Sequence, residues 1–316
     1  MEKDWFDTLR NAEVKPRKKL VKQGTLITDT VETTPVVWND TLLIFMWVRS
    51  KEVTPYTLGA PEHSHYTFWN PKTDEYTEPF AEDYCFGCCY EENGVMYVVG
   101  GKGLFGSYDL DIMSSEDLIH WKTKKILTLP EGITAYNTSL CKGENGYALA
   151  VEIGGDSPIV GKPYTCVFAF SKDLENFEFF PMDTYVHTTE RYSACPALRY
   201  ADGCYYMIYL EEMPCYRSVP YIVRTKDFKT FEQALHNPVM FFGDEDRKVI
   251  YPERLSKEAL KRIATASNNN NSDVDLCEYH GKTYITYAWG NQLGKEMLAY
   301  AIYDGKITEF LQSFFA

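Results

Sequence analysis

The sequence predicts an all-β fold, a single five-bladed β-propeller with four-stranded antiparallel blades, and two repeated signatures in one phase predict it. The first signature is a tight-turn dipeptide ahead of an aromatic strand. It occurs as Asn93-Gly94-Val-Met-Tyr97, Asn145-Gly146-Tyr147, Asp202-Gly203-Cys-Tyr-Tyr206 and His280-Gly281-Lys-Thr-Tyr284, with a degenerate first copy at Asn39-Asp40. The second occurs as Ser115-Glu-Asp117-Leu118-Ile-His-Trp121, Ser171-Lys-Asp173-Leu174-Glu-Asn-Phe177 and Thr225-Lys-Asp227-Phe228-Lys-Thr-Phe231. Aromatic residues make up 15% of the chain, which suits strands because flat rings pack on a pleated surface. The same enrichment suits a sugar-binding surface.

Each element follows from its position in the repeat. Asn-Gly and Asp-Gly accept positive φ at both turn positions, so they join antiparallel strands tightly. Residues 40, 94, 146, 203 and 281 mark five copies of a unit near 54 residues, with one long last interval. A unit of that size is one blade, and blades stack because none buries both faces alone. The long interval holds an insertion over about 243–271, in which Ser256 N-caps a short helix and the Asn268–Asn271 run ends regular structure. Residues 1–24 form an N-terminal arm with a helix over 5–14, and 25–316 form one domain. No linker or composition shift marks a second.

Charge narrows the partners. The net charge is −13, which repels nucleic acid and anionic membranes, and the only basic run, Lys15 to Lys22, is too short to reverse it. The start is charged from residue 2 and lacks an apolar signal segment, and no stretch reaches the roughly 18 apolar residues of a membrane span. Nine cysteines, mostly in strand-like runs, fit a reduced, cytoplasmic protein. Cys85-Phe-Gly-Cys88-Cys89 has no second half to complete a metal site. The sequence thus requires no cofactor, although a structural Ca²⁺ in the channel is compatible with its carboxylates. A homo-oligomer is compatible as well.

In a propeller, the segments leading into the innermost strands converge at one mouth. These are Val31-Glu32-Thr33-Thr34-Pro35, Glu82-Asp83-Tyr84, Tyr136-Asn137-Thr138-Ser139, His187-Thr-Thr-Glu190-Arg191-Tyr192-Ser193 and Asn271-Ser272-Asp273-Val274-Asp275. Crowded carboxylates must pair with Arg or rise in pKa, which lets an acid and a base coexist near neutrality. Glycoside hydrolysis needs such a pair. Glu190, Glu32, Asp273 and Asp275 are therefore the catalytic candidates, with Arg191, Asn137, Asp83, His65, His187 and Trp289 as substrate-binding candidates. Several have a plain structural reading too: a turn cap for one of Asp273 and Asp275, a strand-end partner for Glu32, a structural or solvated role for Asp83, a surface or packing role for His65 and His187, and a wedge between blades for Trp289.

The Ser-x-Asp-Leu-x-x-Trp/Phe signature resembles the five-bladed propeller glycoside hydrolases of families 43, 32, 62 and 117. Glu32-Thr-Thr-Pro-Val-Val, Arg191-Tyr-Ser-Ala-Cys-Pro-Ala-Leu and Asn271-Ser-Asp-Val-Asp-Leu-Cys-Glu are similar to a bacterial propeller group labelled hydrolase-like or sialidase-like, although the Ser-x-Asp-x-Gly-x-x-Trp box of true sialidases is absent. The family-43 resemblance implies a base at Glu32 and an acid at Glu190. The family's tuning Asp falls on Asn137, a departure that leaves that role to Asp273 or Asp275. The activity implied is exo-acting, inverting hydrolysis of a short imported oligosaccharide in the cytoplasm, with Glu190 as acid and Glu32 or Asp273 as base. The rivals are a glycoside phosphorylase or transglycosidase, with Arg191, Arg199, Arg217 and His65 as its anion-binding candidates, and a non-catalytic carbohydrate-binding propeller.

Overall fold

A computed structural model describes residues 18–49, 64–103, 106–160, 164–214, 217–291 and 296–315, and its regular structure is almost entirely antiparallel strand. After β1 (Val21–Thr28), a first sheet comprises β2 (Thr33–Trp38), β3 (Thr41–Val48), β4 (His65–Asn70) and β5 (Glu75–Tyr76). A second comprises β6 (Tyr84–Glu92), β7 (Val95–Lys102), β8 (Asp109–Ser115) and β9 (Lys122–Thr128). A third comprises β10 (Ile133–Lys142), β11 (Tyr147–Gly155), β12 (Thr165–Ser171) and β13 (Glu178–Phe179). Next come β14 (Ala194–Ala201), β15 (Cys204–Met213), β16 (Arg217–Thr225) and β17 (Glu232–Gln233), which pair antiparallel in order. The last group is β18 (Asn270–Tyr279), β19 (Lys282–Gly290) and β20 (Met297–Tyr303), to which β1 adds as a fourth strand. A single parallel pairing, Ser218 with Asn270, links these last two groups.

The two sequence signatures have local physical causes. At Asn39-Asp40, Asn93-Gly94, Asp202-Gly203 and His280-Gly281 both turn residues have positive φ, as a two-residue hairpin of this twist requires. Asn145-Gly146 differs: it closes a longer loop in which the Gly143 N–H donates to the Gly146 carbonyl at 2.7 Å. In the second signature the Ser115 hydroxyl accepts from the Leu118 N–H, and the Asp117 carboxylate accepts from the Ile119 and His120 N–H groups, at 2.8–2.9 Å. Asp173 and Asp227 bind the corresponding N–H groups in their own copies. Leu118, Leu174 and Phe228 take positive φ and bury their side chains, so the motif is an Asx-type turn that pins an apolar residue under it.

Apolar residues fill the space between successive sheets. Phe45 and Phe68 pack with Met96 and Val98, Val99 with Leu149, and Phe168 with Met207 and Tyr209. Leu26 and Leu298 of the last group pack with Ile44 and Trp69 of the first sheet. The insertion packs beside the last group. It contains two short 3₁₀ turns (Asp244–Arg247 and Pro252–Arg254) and α1 (Lys257–Thr265), whose N-cap Ser256 accepts from the Ala259 N–H at 3.1 Å. Ile263 of α1 enters the same core as Tyr287, Trp289 and Phe310, the last from α2 (Ile307–Gln312). No helix among the described residues is long and apolar enough to cross a membrane.

Two expectations change, and a third is left untested. Residues 21–24, assigned to the arm, lie in β1, because Val21, Lys22 and Gly24 pair with Ile302, Ala301 and Tyr300. Asn270 and Asn271 do not break structure; they open β18 and are buried. The helix expected over 5–14 lies outside the described residues. Gly24 has φ +119°, and a Cβ there would run into the Lys248 carbonyl, against which Thr25 hydrogen-bonds. Gly24→Ala is expected to destabilise the fold by about 1–3 kcal/mol, measured as a lower urea midpoint at unchanged m-value.

Candidate active site

Irregular pairing at one end of the first strands of the sheets builds the site. Between first and second strands of the later sheets, the register skips Phe86-Gly87, Tyr136-Asn137, Cys195-Pro196 and Asp273-Val274. Such bulges re-aim side chains that a regular ladder would send to alternate faces. Phe86, Cys195 and Asp273 take φ of 53°, 50° and 50°, and Glu32, just before β2, takes 46°. Non-glycine residues rarely hold this conformation, and where they do the surrounding structure over-determines it. The result is one small cavity, about 20 Å³, lined by Glu32, Gly87, Asn137, Cys195 and Asp273.

Burial dominates the electrostatics. It pushes Glu32 well above the usual carboxylate range; Asp273 raises it further, and Arg49 pulls it down. One Glu32 oxygen is buried without a hydrogen-bond partner, as is one guanidinium nitrogen of Arg49. Asp273 is raised by burial and pulled back by hydrogen bonds from Ser272 and Cys195 and by the charge of Arg49. Behind the cavity wall, Glu152 of β11 is 4% exposed. Its Oε2 accepts from the Cys195 N–H at 2.7 Å and from Asn137 Nδ2 at 3.0 Å. Glu152 therefore fixes two cavity residues from the second strand of the third sheet.

Burial raises Glu152 to about 7, against hydrogen bonds from Cys195 and Asn137 that favour its charged form. The folded state thus binds this proton more tightly than the unfolded chain. The associated stability is present below pH 4.5 and is lost as pH rises through 7. Glu152→Gln cannot ionise and keeps an oxygen for both donors. Between pH 4.5 and pH 8 the variant is expected to gain about 3 kcal/mol on wild type, read from urea unfolding at the two values. An unchanged gap would contradict the protonated Glu152.

An arc of rings borders the carboxylates. Trp47 lies 4.8 Å from Phe86, Phe86 5.5 Å from Tyr136, Tyr136 5.0 Å from Tyr164 and Tyr164 5.8 Å from Tyr192. Trp47 and Phe86 are buried, and Tyr136, Tyr164 and Tyr192 are partly buried.

The sequence-predicted residues divide between this cavity and other places. Glu32, Asp273 and Asn137 line it. Asp275 borders it too, but its Oδ1 is held by Arg199 at 2.5 Å and by the Leu276 N–H at 2.8 Å, which makes it half of a buried ion pair between β14 and β18. Glu190 is exposed on the segment before β14, and its backbone N–H donates to Thr188 Oγ1 at 3.2 Å. It is not among the cavity-lining residues. Arg191 reaches Glu211 at 3.2 Å and Tyr209 at 3.4 Å, on β15, rather than a cavity carboxylate. His187 packs on Tyr209 and Phe231 with Nδ1 2.7 Å from Ser193 Oγ, and burial followed by the Arg191 charge lowers it to about 3, so it stays neutral. His65 opens β4 opposite Val48, and Asp83 anchors the turn before β6 through its N–H to the Ser64 carbonyl at 2.8 Å. Trp289 is corrected: its ring is 0% exposed and its Nε1 donates to Thr25 Oγ1 at 2.8 Å, leaving no face for a sugar.

Sequence reasoning missed Glu152, Arg49 and the tyrosine arc. Glu152 carried a signal, being the only charge in the apolar run Ala148-Leu-Ala-Val-Glu152-Ile153.

Among the described residues, no three His, Cys, Asp or Glu side chains are grouped to hold a metal ion. No protein-family model and no curated protein matches the sequence. Solved structures do match in fold. One described as a glycoside hydrolase has TM-score 0.60 at 12% identity, over 95% of each chain. A thermostable family-43 glycoside hydrolase has TM-score 0.57 at 9% identity, over 89% of this chain and 92% of the other. An exo-1,5-α-L-arabinanase from a bovine ruminal metagenomic library has TM-score 0.54 at 10% identity, over 88% and 93%. The chain therefore shares the fold of the family-43 glycoside hydrolases, and at these identities the likeness is one of fold.

Proposed function

We propose that the five four-stranded groups are the blades of a closed propeller, and that the protein is a glycoside hydrolase with Glu32 as acid and Asp273 as base. One observation carries this reading: two carboxylates on residues of left-handed backbone conformation, Glu32 just before β2 and Asp273 in a bulge, line a single cavity, and burial raises both, Glu32 well above its ordinary range. The shared fold and the partly buried tyrosine rings near the carboxylates support a sugar as substrate.

In the proposed reaction the Glu32 carboxyl gives its proton to the glycosidic oxygen as the bond from that oxygen to the anomeric carbon breaks. Asp273 takes a proton from the water whose oxygen forms the new bond to that carbon. Arg49 favours the charged form of Asp273, and Cys195 donates a hydrogen bond to it. Glu152 acts as a positioning residue through the Cys195 N–H and Asn137. We propose inversion and exo-action on a short oligosaccharide, with the Glu32 proton restored from the one Asp273 collects.

The test is sugar release from a panel of aryl glycosides and short oligosaccharides, with NMR of the first anomer formed. Release with inverted configuration is the expected result. Retained configuration would remove the water-activating role of Asp273, and a folded protein that releases no sugar would remove the hydrolase reading.

A further inference from the structure

At the opposite end of the inner strands from Glu32, the β2–β3 and β18–β19 hairpins frame a second cleft. Its volume is about 510 Å³, within the range of about 300–1,000 Å³ usual for small-molecule sites. Leu26, Ile44 and Ile285 give it an apolar floor, and Tyr251, Tyr284 and Tyr300 line its walls. Burial, then the neighbouring Tyr251 and Tyr284, push the Tyr300 phenol up, which reflects how closely the three come together. None of the three hydroxyls makes a hydrogen bond among the described residues. Thr286, also on the lining, is 2% exposed, and its hydroxyl is buried with no partner. A buried hydroxyl without a partner in a native fold calls for an explanation, and a polar ligand supplies one.

The walls are already fixed. Arg254 sits 3.9 Å over the Tyr251 ring and donates to the Pro71 and Lys72 carbonyls at 2.8 and 3.0 Å, tying the insertion to the β4–β5 turn. Tyr279 donates to the Asp40 carbonyl at 3.0 Å, joining the two hairpins across the mouth. Such a site has little left to order when a ligand enters. The formal charges on its lining are Asp40, which pairs with His280 at 2.9 Å, and the exposed Lys72. The interior therefore offers aromatic faces and neutral hydroxyls and no ion to hold an anion.

We infer that this cleft is a second binding site, for a neutral mono- or disaccharide. A sugar ring stacks its apolar C–H face on tyrosine while its hydroxyls, donors and acceptors at once, meet the unpartnered phenols. A flat aromatic ligand would stack but leave those hydroxyls unsatisfied. Binding here needs no turnover at Glu32.

Saturation-transfer NMR and tyrosine-fluorescence titrations with xylobiose, cellobiose and maltose test the inference, on wild type, Tyr251→Phe, Tyr300→Phe and Asp273→Asn. The phenylalanine variants keep the rings and the packing. At least one disaccharide should bind wild type and Asp273→Asn alike and bind about tenfold more weakly to each phenylalanine variant, the loss expected for one good hydrogen bond. Three outcomes would overturn the site: no disaccharide bound, binding lost in Asp273→Asn but intact in the tyrosine variants, or benzoate or phosphate held in place of sugar. Sugar binding at the cleft without hydrolysis by wild type would count against the hydrolase reading alone.

Discussion

Replacing Glu32 with Gln is expected to lower kcat/KM by about 10²–10⁴-fold, the usual contribution of a positioned general acid. Burial and Asp273 hold this carboxyl well above its ordinary range, which favours its protonated form. Gln reproduces the shape of the protonated acid and removes the like charge that Glu32 would otherwise develop beside Asp273. The variant should therefore fold with wild-type stability or better while losing turnover. That split separates a catalytic acid from a structural carboxylate, whose loss would show in unfolding. In wild type, kcat/KM should fall on the alkaline side as Glu32 ionises, and Glu32→Gln should lose that limb from whatever activity remains. A variant with full activity would remove Glu32 from the reaction.

Asp246→Ala is expected to cost about 3–5 kcal/mol of stability, because it leaves a buried ammonium without its counter-ion. Asp246 is 0% exposed and lies 2.7 Å from Lys22 Nζ, in the strand that joins the last group to the start of the chain. The Tyr287 hydroxyl donates to Oδ1 at 2.8 Å, and Asn268 Nδ2 and the Gly243 N–H each donate to Oδ2 at 2.9 Å. One carboxylate thus ties β1, the insertion, β18 and β19 together, with Lys22 also donating to Asn271 at 2.8 Å. Burial lowers the Lys22 ammonium, and Asp246 opposes that fall. Lys22→Met should be milder, since Asp246 keeps four neutral donors, Asn271 Nδ2 at 3.4 Å among them, while methionine fills the space of the aliphatic stem. Urea unfolding of both variants reads the difference, and an Asp246→Ala midpoint near wild type would contradict the shared role of this carboxylate.

Which features could be read from the sequence follows from the range of the interactions that make them. The hairpins and Asx turns were legible because Asn93-Gly94 or Ser115-Glu-Asp117-Leu118 satisfies its own backbone within a few residues. The bulges were not, since Asp273 and Cys195 are displaced by their pairing with strands 10–20 residues away in sequence. The acid expected at Glu190 shows the consequence. Its segment packs His187 on Tyr209 and leaves Glu190 in solvent, and the bulge that faces the cavity lies five residues on, at Cys195. Asp275 was grouped with Asp273 by proximity in sequence, yet the bulge between them gives the two carboxylates different partners, Arg199 for one and Cys195 for the other. Glu152 was hidden on a second strand, where only its charge in an apolar run marked it.

The measurement that bears most directly on the proposed chemistry is turnover of one released sugar by Asp273→Asn and Glu190→Gln, compared with wild type at equal folded concentration. The bulge-carboxylate account predicts that Asp273→Asn loses nearly all activity while Glu190→Gln keeps it. Full turnover by Asp273→Asn, with loss in Glu190→Gln, would contradict the account and return the acid to the exposed segment before β14.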